Sequence, residues 1–230
     1  MNAAIPQREN GLAKLKDSIL LCAATRWEFD PLAKRLGNAV TLLKTGVGPK
    51  RTAAALARLE AQRFAYVIST GLCGALQPGM KTGDLMIDIQ GADLDLAQAA
   101  REIAGSLNVP IHFGKIAHSD RVASTFQEKA ALGRRQRAGA VDMETSAIRE
   151  WATRHKAQPL AIRAILDAME DPLPGALPDG DGDFSDDIKG TALFILKNII
   201  SWKMLAGLAL KQRKAMANLS AFLEKFLEKI

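Results

Sequence analysis

The segment "GAVDMETSAI" at residues 139–148 places two carboxylates, Asp142 and Glu144, among small and apolar residues. Acidic side chains are seldom buried unless a partner is provided for them. Asp142 could cap the start of a helix that runs through Trp151, which is the simpler interpretation. Alternatively, the carboxylates face a polar ligand, and only the rest of the chain can decide between the two.

Two turns contain several glycines, "TGVGPKR" at residues 45–51 and "STGLCGALQPG" at residues 69–79. Glycine lets a backbone approach a ligand closely and direct its N–H groups toward oxygen atoms. Tight packing between a strand and a helix would also explain these glycines. Neither turn matches the fingerprints of dinucleotide-binding or phosphate-loop proteins. The sequence therefore predicts no nucleotide cofactor.

The elements that would position these residues alternate between short apolar strands and helices. Apolar runs predict strands at residues 18–25, 84–88, 111–118 and 160–167. A helix is predicted to end at Gly37, and another spans residues 145–156. Buried strands that alternate with helices indicate an α/β layered domain, and we expect a single domain over residues 1–230.

Composition and charge exclude several functional classes. A chain of 230 residues with 48% hydrophobic content is long enough for one large core. The net charge of +6 is not accompanied by interleaved aromatic residues, which are only 5% of the chain, so we expect no nucleic-acid partner. The N-terminal residues lack the apolar stretch of a secretory signal, which predicts a cytoplasmic protein.

Metal binding is also not expected. Cys22 and Cys73 are far apart in apolar surroundings, and the three histidines share no ligand spacing. The acidic segment at residues 171–190 is rich in Pro, Gly and Asp and is predicted to be a loop. It lacks the final Glu of an EF-hand loop.

The C-terminal segment, residues 191–230, is predicted to be amphipathic and helical. Met216, Leu219 and Leu223 recur at helical spacing beside Lys and Glu. We expect this stripe to pack on the core. The alternative is that residues 191–210, with basic side chains near Trp202, contact a lipid surface, which would make the protein peripheral at the inner membrane.

The order of the motifs resembles the purine nucleoside phosphorylase and methylthioadenosine/adenosylhomocysteine nucleosidase superfamily. The similar segments are "ATRWEFDPL", "TGVGPKRTAAAL", "VISTGLCGALQPGMKTGDLMI", "AVDMETSAI" and "IRAILDAMED". The resemblance implies a three-layer domain with a central mixed β-sheet flanked by helices. The acidic loop and the basic, Trp-containing helix look most like the hopanoid-associated phosphorylases, which act on adenosylhopane.

The resemblance also implies roles for individual residues. Glu28 would be the catalytic base, and Met143 and Glu144 would contact the ribose. Asp167 would protonate N7 of the leaving purine, for which its pKa must lie above the ordinary value of about 3.9. A carboxylate near the sugar would also stabilise the positive charge that develops as the bond to the base breaks. The remaining expected substrate contacts are Gly71, Leu72, Val122 and Ala123.

The identity of the nucleophile, water or phosphate, distinguishes hydrolysis from phosphorolysis. Glu28 could draw a proton from water and give hydrolysis, whereas phosphorolysis needs cationic and hydroxyl groups around a phosphate. Ser69 and Leu72 stand where bacterial phosphorylases of this superfamily carry an arginine and a serine. That departure favours hydrolysis. Arg26 and Lys50 are the candidate phosphate ligands if the reaction is phosphorolysis.

The resemblance thus implies a small purine nucleoside as the partner, with a lipid-linked nucleoside as the more specific alternative. No cofactor is expected beyond inorganic phosphate as a co-substrate in the phosphorolytic case. A homodimer or higher homo-oligomer is expected, because relatives pair their active sites and dimers are the commonest closed assembly.

Overall fold

The computed structural model describes residues 18–37, 39–171 and 202–230, with side chains from residue 207 in the last range. Strands alternate with helices along these residues, which confirms the predicted α/β class. The predicted loop at residues 171–190, except for Asp171, lies outside the described residues. Most of the predicted lipid-contacting segment at residues 191–210 lies outside them too.

One mixed sheet contains all the strands of the described residues. In chain order these are β1 Ile19–Ala23, β2 Thr41–Lys44, β3 Tyr66–Ala75, β4 Leu85–Asp88, β5 Ile111–Phe113, β6 Ile116–His118, β7 Ala140–Asp142 and β8 Gln158–Asp167. The main order is β2-β1-β3-β8-β4-β5, while β7 pairs with β3 and with β6. The predicted strand over 111–118 is thus two short strands, and each pairs with a different neighbour.

Helices lie on both faces of this sheet. Those of the described residues are α1 Arg26–Leu36, α2 Pro49–Ala57, α3 Leu94–Ser106, α4 Phe126–Gln136, α5 Thr145–Arg154 and α6 Trp202–Lys229. The predicted helix that ends at Gly37 is α1, whose C-cap is Gly37. The predicted helix at 145–156 is α5, which ends at Arg154. The sequence did not predict α3, α4 or β7.

Strand β3 organises the sheet because three strands pair with it. Its first half pairs in parallel with β1, its whole length runs parallel to β8, and its end pairs antiparallel with β7. The carboxyl ends of β1, β3 and β8 therefore meet at one edge of the sheet. The β3–β8 register shifts after Cys73, so that Gly74 lies opposite Asp167 rather than Leu166. This irregularity interrupts the simple alternation of side chains between Arg163 and Asp167.

The predicted apolar stripe of α6 packs on the core, as expected. Met216, Leu219 and Leu223 are buried with Phe222 and Phe226 against one face of the sheet. Helix α5, with its buried residue Trp151, covers the opposite face of the sheet. No helix within the described ranges is both long and apolar enough to cross a bilayer.

We expect Leu219→Ala to lower the free energy of unfolding by about 2–5 kcal/mol, because it removes a fully buried side chain and leaves a cavity. Leu210→Ala is the matched control on the same helix, because Leu210 is 65% exposed, and it should change stability by no more than about 0.5 kcal/mol. Urea unfolding measures both. Equal losses would contradict the packing of α6 on the core.

Candidate active site

Glu28 is fixed by the start of α1. Thr25 caps this helix, and Oε2 of Glu28 accepts hydrogen bonds from the backbone N of Thr25 at 2.8 Å and from its hydroxyl at 2.9 Å. The other oxygen, Oε1, accepts the backbone N–H of Leu72 at 2.7 Å. A helix cap and a strand thus hold one buried carboxylate at the carboxyl end of β1.

Gly71 allows this contact between α1 and β3. Its φ of +127° favours glycine, and a Cβ at this position would collide with Oε1 of Glu28. The same Cβ would lie 3.0 Å from Nη1 of Arg163. The missing side chain therefore lets the Glu28 carboxylate and the Arg163 guanidinium both approach the β3 backbone.

Arg163 is the buried cation at the centre of the site. Its Nη2 lies 2.8 Å from Oδ2 of Asp142, 2.8 Å from the Ser69 hydroxyl and 3.6 Å from Oε2 of Glu144. The side chain is 1% exposed. A charge so deeply buried is costly unless it is paired and hydrogen-bonded, and these contacts provide that compensation. This one side chain therefore lies within ion-pair distance of both carboxylates of "VDMET".

Asp142 performs the capping role that the sequence suggested. Its carboxylate accepts the backbone N–H of Thr145 at 3.1 Å and also the Thr145 hydroxyl, although the N-cap position itself belongs to Glu144. The Thr145 hydroxyl is shared further with Ser69, at 2.9 Å. The start of α5 is therefore tied to β3 by buried side-chain hydrogen bonds.

Glu144 is held by the turn that follows β2. Its Oε1 accepts the backbone N–H of Gly48 at 2.8 Å, and Met143 lies beside the same glycine. Burial raises the pKa of Glu144 to about 7 against the opposing attraction of Arg163, and the nearby Asp142 raises it further. The carboxyl therefore changes protonation state near neutral pH.

Asp167 has a separate partner. At the end of β8 its Oδ2 lies 2.5 Å from Nζ of Lys129, which α4 places in the protein interior. Burial raises the pKa of Asp167, while the hydrogen bond and the charge of Lys129 oppose that rise. Lys129 was not among the site residues predicted from the sequence. A cation near the start of a helix opposes the helix dipole, and that was the available signal.

The spacing of the two carboxylates follows from β3. Glu28 lies at Gly71, and Asp167 lies at Gly74, where a Cβ would be 3.2 Å from its Oδ2. Three residues of strand span about 10 Å, so the carboxylates are separated by roughly that distance along β3. This is about the length of a molecule made of a sugar ring joined to a purine.

The other predicted site residues lie nearer the surface. Arg26 is exposed and paired with Asp30 at 3.0 Å, and Lys50 is exposed as well. Val122 is 37% exposed, while Ala123 packs on the small apolar cluster beside α4. The structure thus joins Glu28, Glu144 and the Gly71–Leu72 backbone into one buried cluster and leaves the candidate phosphate ligands outside it.

The family follows from a comparison of the whole sequence with family models. A model described as the Phosphorylase superfamily matches residues 28–90 and 88–200, which is more than half of the chain. The chain belongs to this superfamily. The match includes Glu28, Glu144 and Asp167, and it confirms the family that the motif order suggested.

Characterised relatives of this superfamily member are distant. It is 31% identical over 163 residues to a DeoD-type purine nucleoside phosphorylase from Jannaschia sp.. This match covers 60% of this chain and 68% of that enzyme. It is also 31% identical over 133 residues to a uridine phosphorylase from Thermococcus kodakarensis. That second match covers 50% of this chain and 48% of the relative, or about half its length.

Solved structures share the fold over nearly the whole chain. A Helicobacter pylori 5'-methylthioadenosine/S-adenosylhomocysteine nucleosidase has a TM-score of 0.69 at 15% identity, covering 94% of this chain and 99% of the other. A futalosine hydrolase of Helicobacter pylori has a TM-score of 0.69 at 15% identity, and the match covers 95% of this chain and 100% of the other. The 5'-methylthioadenosine/S-adenosylhomocysteine nucleosidase of Neisseria meningitidis has a TM-score of 0.69 at 18% identity, and the match covers 93% of this chain and 100% of the other. These likenesses confirm the predicted fold.

We expect Gly71→Ala to destabilise the protein more than Gly79→Ala. Both glycines have positive φ, so both substitutions strain the backbone, but a Cβ at Gly79 meets no atom within 4 Å. The extra cost at Gly71, about 1–3 kcal/mol, reflects displacement of Glu28 from the Leu72 N–H. Urea unfolding of the two variants measures the difference. Equal losses would mean that only backbone strain matters at Gly71.

The pH dependence of the free energy of unfolding should reflect the raised pKa of Glu144. Its pKa in the folded state is about 7, against an ordinary value of 4.5, so its contribution to stability is complete below about pH 4.5 and is lost as the pH rises through about 7. The loss relative to Glu144→Gln should be roughly 3 kcal/mol. Urea unfolding between these pH values measures it. Asp30→Asn, an exposed carboxylate on α1, is the control, and stability profiles of wild type and Glu144→Gln that stay parallel would contradict the assignment.

Proposed function

We propose that this protein hydrolyses the N-glycosyl bond of an adenine nucleoside that has a large apolar 5' substituent, with adenosylhopane as the natural substrate. The observation on which this rests is the clamped Glu28 carboxylate in a buried cluster with Glu144 and Arg163. Cleavage of N-glycosyl bonds is the coarser part of the proposal. It agrees with superfamily membership, which supports the enzyme class expected from the sequence.

Glu28 is suited to activate water. An ionised carboxylate has about four acceptor sites, and three hydrogen bonds from Thr25 and Leu72 occupy sites on Glu28. One acceptor site on Oε1 remains for a water molecule. Because the hydrogen bonds fix the carboxylate, that water would be oriented before the substrate binds, which lowers the entropic part of the barrier.

Glu144 is suited to bind the sugar. In its ionised form it accepts the hydrogen bonds that the 2' and 3' hydroxyl groups of a ribose donate. A pKa of about 7 means that developing positive charge on the ribose would draw Glu144 toward its ionised form. Its stabilisation would therefore be stronger in the transition state than in the bound substrate, which is what accelerates a reaction.

The charges of the cluster favour water over phosphate as the nucleophile. Three carboxylates, those of Glu28, Asp142 and Glu144, surround the single guanidinium of Arg163. That guanidinium also binds Ser69, whose hydroxyl is already shared with α5. A phosphate dianion would meet repulsion from the carboxylates, whereas a neutral water molecule would not.

The apolar 5' substituent is supported by side chains near the cluster. Trp27 precedes Glu28 and is 52% exposed, and Val47 precedes the glycine that binds Glu144 and is also exposed. The carbonyl oxygen of Trp27 accepts a hydrogen bond at 3.5 Å from Gln212 of α6. The resemblance to hopanoid-associated phosphorylases, which rests on the acidic loop and the basic helix, supplies the identity of the substituent.

Adenine release from 5'-substituted adenosines tests the proposal. The purified protein is assayed in phosphate-free buffer and with added phosphate, on 5'-methylthioadenosine and on adenosylhopane. We expect release without phosphate and a higher kcat/KM for adenosylhopane. Glu28→Gln should lower kcat by roughly 10²–10⁴-fold, the usual contribution of a general base.

Asp30→Asn is the matched control, since it removes an exposed carboxylate from the same helix and should leave kcat unchanged within about twofold. Strict dependence on phosphate would overturn hydrolysis in favour of phosphorolysis and would direct attention to Arg26 and Lys50. A preference for the methylthio compound would overturn the apolar substituent. Binding without release from any substrate would leave a nucleoside-binding protein on this fold.

A further inference from the structure

Lys129 is a fully buried cation that the proposed reaction does not yet use. Its Nζ lies 2.5 Å from Oδ2 of Asp167, 2.7 Å from the carbonyl oxygen of Ala168 and 3.1 Å from that of Asp171. A neutral amine has two N–H donors, whereas an ammonium has three. An ammonium therefore provides one donor for each of these acceptors, and in this form Lys129 is the counter-charge of an ionised Asp167.

The start of α4 fixes the position of Lys129. Thr125 caps the helix and exchanges hydrogen bonds with Glu128, which also accepts the backbone N–H of Ser124 at 2.9 Å. The next residue, Lys129, is thereby directed away from solvent and toward the end of β8. Ala130 and Leu132 of the same helix are buried as well.

Other charges near Asp167 are weaker influences. Asp171 follows β8 and repels it, and Lys211 of α6 attracts it while bound to Asp171 at 2.6 Å. Both of these side chains are more than a third exposed, so solvent screens their effects. The thiol of Cys73 on β3 is buried, and burial raises its pKa, so it remains neutral. Lys129 is thus the principal charged partner of Asp167.

We propose, on the basis of the function proposed above, that Lys129 is a positioning residue that makes Asp167 a stronger acid toward the purine. Its ammonium anchors Oδ2 and leaves Oδ1 for the base. In the reacting complex Asp167 has taken one proton from solvent. As the bond between C1' and N9 breaks, its electron pair passes to the purine, the proton of Asp167 passes to N7, and Asp167 returns to the carboxylate that Lys129 stabilises. The oxygen of the water bonds to C1', and Glu28 takes the proton that this water releases.

This arrangement predicts two opposite effects of removing the cation. In Lys129→Met, Asp167 lacks its counter-charge, so its pKa rises and it stays protonated to higher pH. In the profile of kcat/KM against pH, the alkaline limb should therefore shift to higher pH by about 1–3 units. The plateau at acidic pH should fall, because the carboxylate formed by proton transfer is no longer stabilised.

Three comparisons isolate the effect. Lys129→Arg keeps the cation and should keep the position of the alkaline limb. Lys211→Met removes the exposed neighbouring cation and should move the limb less than Lys129→Met does. A uniform loss of activity in Lys129→Met, with the limb unmoved, would overturn the proposal and assign Lys129 a purely structural role.

Infrared spectroscopy tests the pair without relying on turnover. The carboxylic-acid stretching band of Asp167, assigned by difference from Asp167→Asn, should be absent at neutral pH in the wild type and present in Lys129→Met. Its presence in the wild type at neutral pH would overturn the proposal. If the wild type released no adenine, the proposed function would fail while this measurement still decided the state of the pair. If Lys129→Met did not fold, the wild-type infrared titration and Lys129→Arg would decide it.

Discussion

The buried guanidinium of Arg163 is the interaction on which the rest of the site depends. Carboxylates that are removed from water are costly unless a cation and hydrogen-bond donors compensate them. Arg163 binds Asp142 directly and attracts Glu144 and Glu28. Because its position on β8 is fixed by pairing with β3, the charge compensation is built into the sheet. Each acid then needs only a local anchor: a helix cap, a glycine turn or the first turn of a helix.

The site therefore contains two electrostatic environments, one at each end of a short stretch of β3. Around Gly71 several carboxylates share one guanidinium, which suits a neutral nucleophile and a sugar that becomes positive. Around Gly74 a single carboxylate is paired with a single ammonium, which suits a group that must give up a proton and then remain charged. Acid and base roles are commonly divided between groups whose surroundings shift their pKa values differently. The separation of about 10 Å would accommodate the sugar and the purine of the proposed substrate.

The sequence predicted the large elements because their patterns are local. Apolar strands, the capped helix α1 and the stripe on α6 all follow from spacing along the chain. Strand β7 has three residues, too few for a pattern, and it is a strand because β3 and β6 pair with it. The predicted strand at 111–118 divides because its halves pair with different partners. Helices α3 and α4 also had local signals that the prediction missed, because Asp93 caps α3 and Thr125 forms a capping box with Glu128 at the start of α4.

The sequence by itself determined the alternating fold class and the glycine turns, and the family resemblance predicted Glu28, Glu144 and Asp167 as site residues. Only the tertiary structure decided which cations compensate them. Lys129 and Asp167 are 38 residues apart, and Arg163 of β8 reaches Asp142 at the end of β7 and Glu144 at the start of α5. No local pattern relates such pairs, because their contact depends on strand register and on the direction in which a helix enters the core. The fold therefore supplied the charge compensation of these carboxylates, which no local sequence pattern shows.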